Sequence, residues 1–501
     1  MRRVVIIGGG ITGLSAAYTL QRQVQALGAP VDFRLIEKDN RLGGKLLTDK
    51  VDGFVLEGGP DCFVAEKQSV FELSARLGIT GRLLPSNEEN KGTFILSGGR
   101  LHALPEGLML MVPTRIAPFL RSPLMSWSGK LRMCLDLVIP PRGGEADESL
   151  SSFVTRRLGR EALDKIAEPL IGGIHAGDSE QMSLKASFPR FIQLERQYGS
   201  LIRAMLAARK KRPAEPTGAS PRRTYFMSFA GGMGELPTTL AEHLDPQRIL
   251  LGHRVTRLTK KAPAPGPGGY VVEVEGREPI EADALIVATL ANDAAGLLRE
   301  VDEAASRRLG EISLASSATV SLAYRRSDIT RRLEGFGFVI PRSEGRRIMA
   351  VTYSSSKWDH RVPSEEYALL RVFVGGALNQ QLVTLDDADL ISIVRQELED
   401  ILGLRARPLF TRIYRWVKGM SQYTLGHLER MAFIEERAAR HPGLFLAGGS
   451  YRGVGVPDCI NGGTRAAEAA LAFLREQDGC IPGADAPTSA VPLSSGGTPR
   501  W

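Results

Sequence analysis

The chain opens on a short apolar run, Val4–Ile7, which ends at the glycines Gly8–Gly10. After these glycines, apolar residues recur at helical spacing between Leu14 and Leu20. The pattern therefore predicts a buried strand, a glycine turn and a helix. The apolar run is shorter than the roughly 7 to 15 residues of a secretory signal, so we expect no signal peptide and a cytoplasmic protein.

Later segments continue this alternation of strands, turns and helices. The segment 31–37 predicts a second strand, and 281–290 predicts another. The segments 253–261 and 269–276 flank a turn-rich stretch and predict a hairpin. Residues 444–474 are typical of a strand, a glycine loop and an alanine-rich helix.

Two stretches between these pieces have different patterns. Residues 85–205 are mostly helical in pattern, and residues 315–425 are mixed and include strands. Met, Leu, Phe and Pro crowd into 105–127, where the prolines exclude one long amphipathic helix. We interpret 105–127 as pocket lining with transient membrane contact, and a monotopic membrane patch is the alternative. No run approaches the ~18 apolar residues that a transmembrane helix needs.

The charge balance is basic. The chain has 64 Lys and Arg against 56 Asp and Glu, a formal net charge of +8. Such an excess suits nucleic acid, an anionic membrane surface or an acidic ligand. Part of it lies in 208–224, which we predict to be a flexible basic loop, and no nucleic-acid module accompanies it. We expect no nucleic-acid partner, and we predict a disordered tail at 479–501 from its linker composition.

The cysteines and histidines form no recognised metal or nucleophile motif. Cys62, Cys134, Cys459 and Cys480 lie far apart and form no C-x-x-C pair. The histidines are scattered without H-E-x-x-H, and the sequence has no G-x-S-x-G elbow. We therefore expect free thiols and no metal site, and the hydrolase and metalloenzyme classes lose most of their support.

The glycine turn has the spacing of a dinucleotide site. Gly8, Gly10 and Gly13 form G-x-G-x-x-G between the predicted strand and helix. In such a motif the glycines allow a tight turn, close approach of a pyrophosphate, and close packing of helix on strand. Glu37 ends the second predicted strand, where an acid accepts hydrogen bonds from a ribose diol. An acid there, rather than an arginine, argues against a 2′-phosphate.

Three further features favour FAD over NAD. Arg41–Lys45 supplies flexible backbone and positive charge, and Glu57–Phe63 supplies glycine backbone that a flat ring can approach. Pro457 suits the first turn of the last helix. The positive end of that helix, equivalent to about half a charge, would face the negative charge that a flavin gains on reduction.

The motifs together resemble a known family. GGGITGL and EK-x-x-RLGGK are similar to the flavin amine oxidase superfamily. EPLIGGIHAGD (168–178), SLKASFP (183–189), GFGFVIP, SQYTLGH (421–427) and GVGVPDCINGG closely resemble oxygen-dependent porphyrinogen oxidases. These comprise protoporphyrinogen oxidases and the soluble Gram-positive-type coproporphyrinogen III oxidases of haem synthesis. The similarity covers roughly residues 1 to 475.

The resemblance implies a set of site residues. The implied FAD contacts are Gly8, Gly9, Gly10, Ile11, Thr12, Gly13, Glu37, Lys38, Lys45, Gly59, Pro60, Asp61, Cys62, Val255, Trp416, Val454, Gly455 and Val456. The implied porphyrinogen contacts are Lys67, Ile174 and Gly177. His175 stands where tyrosine is common in the family, and we assign it no catalytic role.

The implied reaction needs no catalytic acid or base from the protein. The flavin N5 accepts hydride from a methylene bridge, and the cofactor carries the chemistry while the protein aligns the reactants. By resemblance, a porphyrinogen loses six electrons to give a porphyrin while O2 is reduced to H2O2. Coproporphyrinogen III is slightly favoured over protoporphyrinogen IX. The alternatives are a flavin amine oxidase, a carotenoid desaturase or a non-catalytic FAD-containing porphyrin carrier.

The expected fold class is α/β with three parts. They are a discontinuous Rossmann-like FAD-binding domain, a mixed-sheet substrate domain and a mostly helical domain. The assigned ranges are 1–65, 225–300 and 428–476 for FAD binding, 85–205 for the helical domain, and 66–84 with 301–427 for substrate binding. Peripheral contact with the inner membrane face and a homodimer are left open.

Overall fold

A computed structural model describes residues 1–105, 107–109, 111–113, 115–210, 223–261 and 269–477. Most of the predicted basic loop 208–224 and the whole tail 479–501 lie outside these residues. So do Cys480 and the turn-rich stretch at 262–268.

The strands are β1 (Arg2–Ile7), β2 (Val31–Glu37), β3 (Thr48–Val51), β4 (Phe54–Glu57), β5 (Phe63–Val64), β6 (Leu83–Pro85), β7 (Phe94–Ser97), β8 (Arg100–Ala103), β9 (Leu108–Met109), β10 (Val112–Pro113), β11 (Phe226–Phe229), β12 (Ile249–Leu251), β13 (Val255–Lys260), β14 (Tyr270–Val274), β15 (Ile280–Ala282), β16 (Ala284–Val287), β17 (Leu314–Arg325), β18 (Gly337–Val339), β19 (Ile348–Tyr353), β20 (Tyr367–Gly375), β21 (Phe410–Ser421) and β22 (Leu444–Leu446).

The α-helices are α1 (Ile11–Leu27), α2 (Ser69–Arg76), α3 (Ile116–Arg121), α4 (Trp127–Cys134), α5 (Leu150–Leu158), α6 (Arg160–Ala162), α7 (Glu168–His175), α8 (Leu184–Ser187), α9 (Pro189–Tyr198), α10 (Leu201–Lys210), α11 (Glu235–Glu242), α12 (Ala291–Leu298), α13 (Glu303–Gly310), α14 (Ser354–Lys357), α15 (Asp387–Leu402), α16 (His427–Ala439) and α17 (Val456–Gln477). A π-helical segment, Leu163–Ala167, joins α6 to α7.

A five-stranded parallel sheet forms the core of the nucleotide domain. Its strand order is β12-β2-β1-β16-β22, and its strands come from the three separated ranges that the sequence assigns to FAD binding. The β1 residues Val4–Ile7 are buried, as parallel strands covered on both faces must be. The predicted strand–turn–helix start, the second strand 31–37 and the strand–loop–helix end are all confirmed.

Helices α1 and α17 pack together beside this sheet. Their contact is close because Gly463 of α17 has no side chain, and a Cβ there would lie 2.1 Å from the Thr12 carbonyl oxygen. The start of α1 and the body of α17 therefore form one structural unit, although they are far apart in the chain.

The predicted hairpin is confirmed on its described residues. Strands β13 and β14 pair antiparallel, and β15 adds to β14 to give a three-stranded sheet. One face of this sheet buries Leu258, Tyr270 and Val272 in the same apolar cluster as Val5 and Ile36. The hairpin thus covers the face of the parallel sheet next to Glu37.

A seven-stranded sheet, in the order β21-β17-β20-β19-β18-β7-β8, forms the core of the second part. This confirms strands within 315–425, but the mostly helical prediction for 85–205 is wrong at its beginning. Strands β7 and β8 lie there and extend the mixed sheet, with β7 pairing parallel to β18. Each has only four residues, too short for its alternation to stand out beside the apolar run that follows.

The rest of 85–205 is mainly helical. Its apolar core includes Met111, Phe119, Leu124 and Met125, so these residues of the apolar stretch 105–127 pack inward. The described residues of that stretch form β9, β10 and α3 rather than one long helix, as expected. Among the described residues of this region, the most exposed large apolar side chains begin at the end of this stretch and continue along α4 and the turn after it: Trp127, Leu131, Leu135 and Val138.

Helix α2 corrects the domain assignment of 66–84. Its buried residues Val70, Phe71 and Leu73 pack in the same cluster as Leu14 and Leu471 of α1 and α17. The helix therefore belongs to the nucleotide domain rather than to the substrate domain. In the part of the chain that the structure describes, no helix is long and apolar enough to cross a membrane.

Candidate cofactor and substrate site

The first glycine turn offers backbone to an anion. Gly8 adopts φ +105°, which favours glycine, and its N–H donates to the Ile36 carbonyl at 2.8 Å. A Cβ on Gly13 would lie 1.8 Å from the Gly8 carbonyl oxygen, whereas a Cβ on Gly10 would meet no protein atom within 4 Å. Gly10 is the N-cap residue of α1, and as a glycine it has no side chain that could bond to the free N–H groups of the first turn. The N-terminus of α1 therefore faces open space, the arrangement that binds phosphate.

Glu37 is fixed beside this turn. Its Oε2 accepts the Gly9 N–H at 2.6 Å, and its Oε1 accepts the Asp39 N–H at 2.9 Å. The Glu37 carbonyl also accepts the His253 N–H at 2.9 Å, which brings the start of β13, and hence Val255, close to the acid. Both carboxylate oxygens keep a lone pair for a ribose hydroxyl. Lys38 follows as an exposed residue.

The segment Gly43–Lys45 lies against the first turn. The Gly43 N–H donates to the Gly9 carbonyl at 2.8 Å, and a Cβ on Gly44 would lie 3.1 Å from the Gly10 Cα. Burial lowers the pKa of Lys45, while Cys459 of α17 opposes this shift. The structure thus brings together three parts of the predicted site: the phosphate turn, Lys45 and the start of α17.

The turn Glu57–Cys62 lies next to Lys45. A Cβ on Gly59 would lie 1.7 Å from the Lys45 carbonyl oxygen, so only glycine fits there. Trp416 donates its Nε1–H to the Gly58 carbonyl at 2.8 Å. The structure therefore brings the predicted residues Gly59 and Trp416 to the same turn, although neither sequence segment indicates the other.

The far end of this turn is charged and partly buried. Asp61 Oδ2 accepts hydrogen bonds from Lys357 Nζ at 2.9 Å and Trp358 Nε1 at 3.1 Å. Burial alone would raise the pKa of Asp61, but Lys357 and Arg371 hold it well below its usual range. Burial raises the pKa of the neighbouring Cys62 thiol to about 12, so Cys62 stays protonated. This thiol is not a nucleophile at neutral pH.

The loop before α17 is held by a tyrosine. The Tyr423 hydroxyl accepts the Gly453 N–H at 2.7 Å and donates to the Gly449 carbonyl at 2.9 Å. This contact fixes the approach to Val454–Val456, where the predicted FAD residues lead into the first turn of α17. Helix α17 begins at Val456, with Pro457 in its first turn as expected.

Lys67 lies at the same helix end. Its Nζ pairs with the Asp458 carboxylate, and its side chain is 55% exposed. The predicted substrate cation is therefore next to the predicted flavin helix. Because it already has a carboxylate partner, a substrate carboxylate would have to compete with Asp458 for it.

Two cavities lie where α7 meets the seven-stranded sheet. The larger, of about 330 Å³, is lined by Gly177, Ile340, Met349 and the cations Arg342 and Arg346, among others. The other, of about 230 Å³, is lined by residues that include Gln422 and Tyr423. Ala377 lines both cavities. Tyr423 lines the second cavity and also contacts the loop before α17.

Gly177 stands between these cavities. A Cβ there would lie 2.6 Å from Gln422 Oε1 and 2.7 Å from Met182 Cε, so the position has no room for a side chain. Ile174 and His175 end α7, but their side chains lie outside what the structure describes. Among the described residues, no group of three or more His, Cys, Asp or Glu could hold a metal ion.

The sequence interpretation missed several residues of this site. Lys357, Trp358, Arg371 and Tyr423 all contact the glycine segments, from positions far along the chain. One signal was available: Arg371 interrupts the apolar strand sequence LLRVFV, and a charged residue inside an apolar strand requires a specific partner.

Comparison with known proteins identifies the family. The sequence pattern of the flavin containing amine oxidoreductases matches residues 11–471. The chain belongs to this family. A coproporphyrinogen III oxidase from Bacillus subtilis is 35% identical over 94% of this chain and 98% of its own length. A protoporphyrinogen oxidase from Bos taurus is 32% identical over 94% of this chain and 98% of its own length.

A solved structure agrees with this assignment. A protein from Exiguobacterium, provisionally assigned as a protoporphyrinogen oxidase, superposes with a TM-score of 0.81 at 33% identity, covering 95% of this chain and 99% of its own. The flavoprotein is an oxidoreductase, its fold is the flavin amine oxidase fold, and its cofactor is FAD. The residues fit FAD, because Gly10 leaves space for phosphates and Glu37 keeps acceptors for a ribose.

Proposed function

We propose that this flavoprotein is an oxidase that removes six electrons from a porphyrinogen to give a porphyrin in haem synthesis, with O2 reduced to H2O2. Coproporphyrinogen III is slightly favoured over protoporphyrinogen IX. The observation that carries the proposal is the pair of cavities beside Gly177, the second of which is lined by Tyr423, the residue that also holds the loop before α17. The names of the relatives from Bacillus subtilis and Bos taurus support a porphyrinogen as substrate.

The cavity walls suit an apolar macrocycle edged with carboxylates. Ile340, Ile348 and Met349 supply apolar contacts, and Arg342 and Arg346 supply positive charge at the same cavity. Arg346 already pairs with Asp400 at 3.0 Å, and Arg342 lies beside the Glu168 carboxylate of the same cavity, so a substrate carboxylate would compete with these acids. When bound, FAD supplies hydride acceptance at N5.

The protein's own contribution is alignment and exclusion of water. The hydrogen bonds to the Glu57–Cys62 turn and to the loop before α17 hold the two sides of the site in one geometry. The proton released from the macrocycle passes to water or to a backbone carbonyl, as expected from the sequence. The cytoplasmic location and the homodimer stay predictions.

An aerobic fluorescence assay tests the proposal. Purified holoenzyme is given coproporphyrinogen III and protoporphyrinogen IX in parallel, and porphyrin emission and peroxide are measured together. We expect porphyrin formation with both, faster with coproporphyrinogen III, and three peroxide molecules per porphyrin as six electrons require. A holoenzyme that binds FAD and porphyrin yet forms no porphyrin above the enzyme-free rate would instead be a carrier.

Replacement of Lys67 by alanine tests the predicted carboxylate contact. We expect KM for the porphyrinogen to rise about tenfold, because a hydrogen bond to a charged group is worth about 1.5 to 3 kcal/mol. The FAD content of the variant stays equal to that of the wild type. Lys261→Ala is the matched control, because Lys261 pairs with Glu281 on the β13–β15 sheet. Unchanged kinetics in Lys67→Ala would remove Lys67 from the substrate site.

We propose that peripheral membrane contact uses α4 rather than the apolar residues that precede it. Trp127 and Leu131 are 66% and 68% exposed on this helix, and exposed apolar patches mark contact sites. In vesicle flotation with anionic lipids we expect a partial, salt-sensitive shift that Leu131→Glu reduces. Equal flotation of wild type and Leu131→Glu would contradict the assignment to α4.

A further inference from the structure

The buried face of the seven-stranded sheet supports the Glu57–Cys62 turn. Trp416 Nε1 and Thr319 Oγ1 donate to the Gly58 carbonyl at 2.8 and 3.3 Å, and Arg371 Nη2 donates to the Gly59 carbonyl. These three residues come from the adjacent strands β21, β17 and β20. The sheet therefore holds the first half of the turn through its carbonyl oxygens.

The second half of the turn is held in the same way. The Asp61 carbonyl accepts the Ser228 hydroxyl at 2.8 Å. The carbonyl oxygens of Gly58, Gly59 and Asp61 thus all meet protein donors. The negative ends of these peptide dipoles are directed into the protein, so they do not oppose negative charge on a ligand beside the turn.

The side chains behind the turn leave one positive charge without a carboxylate of its own. Lys357 pairs with Asp61 at 2.9 Å, and Arg361 lies 3.7 Å from Glu57. Arg371 is 3% exposed, donates to a neutral carbonyl, and has an Nε that is buried without a hydrogen-bond partner. A buried charge that lacks a close counter-ion costs several kcal/mol, so the excess cation requires compensation from another group.

Ionisation of the surrounding groups is consistent with this excess. Lys357 and Arg371 keep the pKa of Asp61 low, so Asp61 carries its charge at neutral pH. Burial raises the pKa of Glu57, while Arg361 opposes this shift. Arginine remains protonated in proteins. The cationic excess therefore persists across the neutral range.

We propose that Arg371 is a positioning residue for the cofactor: it holds the Gly59 carbonyl away from the flavin and supplies the positive charge that favours the negative charge gained on reduction. This inference rests on the flavin site of the proposed function. It adds a second source of positive potential to the N-terminus of α17, from a different domain. Arg371 takes no part in binding the porphyrinogen.

The reduction potential of bound FAD tests this role. For Arg371→Met we expect oxidised FAD to bind within about twofold of wild type and reduced FAD to bind about tenfold more weakly. By linkage, a tenfold difference lowers the potential of a two-electron couple by about 30 mV. Arg371→Lys keeps the charge and should restore most of the potential. Arg415→Met is the control, because Arg415 holds the Val383 and Leu385 carbonyls from the opposite face of the sheet.

A substitution that removes a negative charge, instead of the positive charge of Arg371, separates this role from a purely structural one. Asp61→Asn removes a negative charge from the same cluster, so we expect its potential to rise where that of Arg371→Met falls. Shifts in the same direction in both variants, or an unchanged potential in Arg371→Met, would overturn the inference. If Arg371→Met does not fold, the potential of Asp61→Asn alone decides the question. A wild type that binds no FAD would instead overturn the proposed function.

Discussion

Gly10→Val is expected to yield a folded protein that binds no FAD. A Cβ on Gly10 would meet no protein atom within 4 Å, and its backbone, at φ −69° and ψ 178°, suits any residue. Valine therefore leaves the protein intact and occupies the space that the pyrophosphate needs. We expect the FAD content of the purified variant to fall below one hundredth of wild type, about 3 kcal/mol or more in binding.

The measurement pairs flavin content with apoprotein stability. FAD per chain is read from the visible flavin absorbance, and thermal denaturation of the apoprotein is compared with that of wild type. Gly310→Val is the control, because Gly310 also has open space around it but ends α13. A yellow Gly10→Val protein with one FAD per chain would contradict the expected phosphate position. Gly13→Val should differ from both by failing to fold, because its Cβ would collide with the Gly8 carbonyl.

Asp136→Asn is expected to cost the protein about 3 to 5 kcal/mol of unfolding free energy. Asp136 and Arg157 are both fully buried, and Arg157 Nε donates to Asp136 Oδ1 at 2.6 Å. Asp136 Oδ2 also accepts the Ser200 hydroxyl and the Ile202 N–H. Asparagine keeps the shape but removes the nearer counter-charge of the guanidinium, which then has only Glu195, 3.4 Å from Arg157 Nη1. The helical region that contains this pair lines the larger cavity through α7.

Urea unfolding of the apoprotein measures this loss. The control is Asp164→Asn, which removes the exposed i,i+4 partner of Arg160 and should cost less than about 1 kcal/mol. Equal unfolding midpoints for Asp136→Asn and Asp164→Asn would show that the buried pair contributes little beyond a surface pair.

The parts of the site that are local in sequence were predictable. The Gly8–Gly13 turn, strand 31–37 with its terminal Glu37, and the helix beginning near Pro457 are each one strand–turn–helix unit. Their function depends on glycine spacing and on the residue at a strand end, which the sequence displays directly. The structure adds that these units meet at Lys45 and Cys459.

The parts that depend on tertiary pairing were not predictable. Arg371 and Gly59 lie 312 residues apart, and their contact requires the order of strands β17, β20 and β21. Strand β7 forms only a short hairpin with β8, and its other partner, β18, lies more than 200 residues away in sequence and leaves no local signal. Non-local strand pairing leaves no periodic pattern in a single chain.

The sequence showed which residues are apolar, but it did not show which of them are buried or what they pack against. Within the apolar stretch 105–127, Met111 and Leu124 are buried while Trp127 is exposed, and Val138, beyond the stretch, is exposed as well. Similarly, α2 packs against α17 rather than with the mixed sheet. Hydrophobicity indicates that a residue needs a partner surface, but the topology decides which surface it meets.

Anaerobic mixing of the holoenzyme with a porphyrinogen most directly tests whether FAD and substrate share this site. One FAD per chain is first established by reconstitution, and the visible flavin band is then followed after mixing with coproporphyrinogen III without oxygen. We expect the band to bleach in a single turnover and to return when oxygen is admitted. A bound flavin that dithionite reduces but neither coproporphyrinogen III nor protoporphyrinogen IX can reduce would contradict the proposed electron transfer.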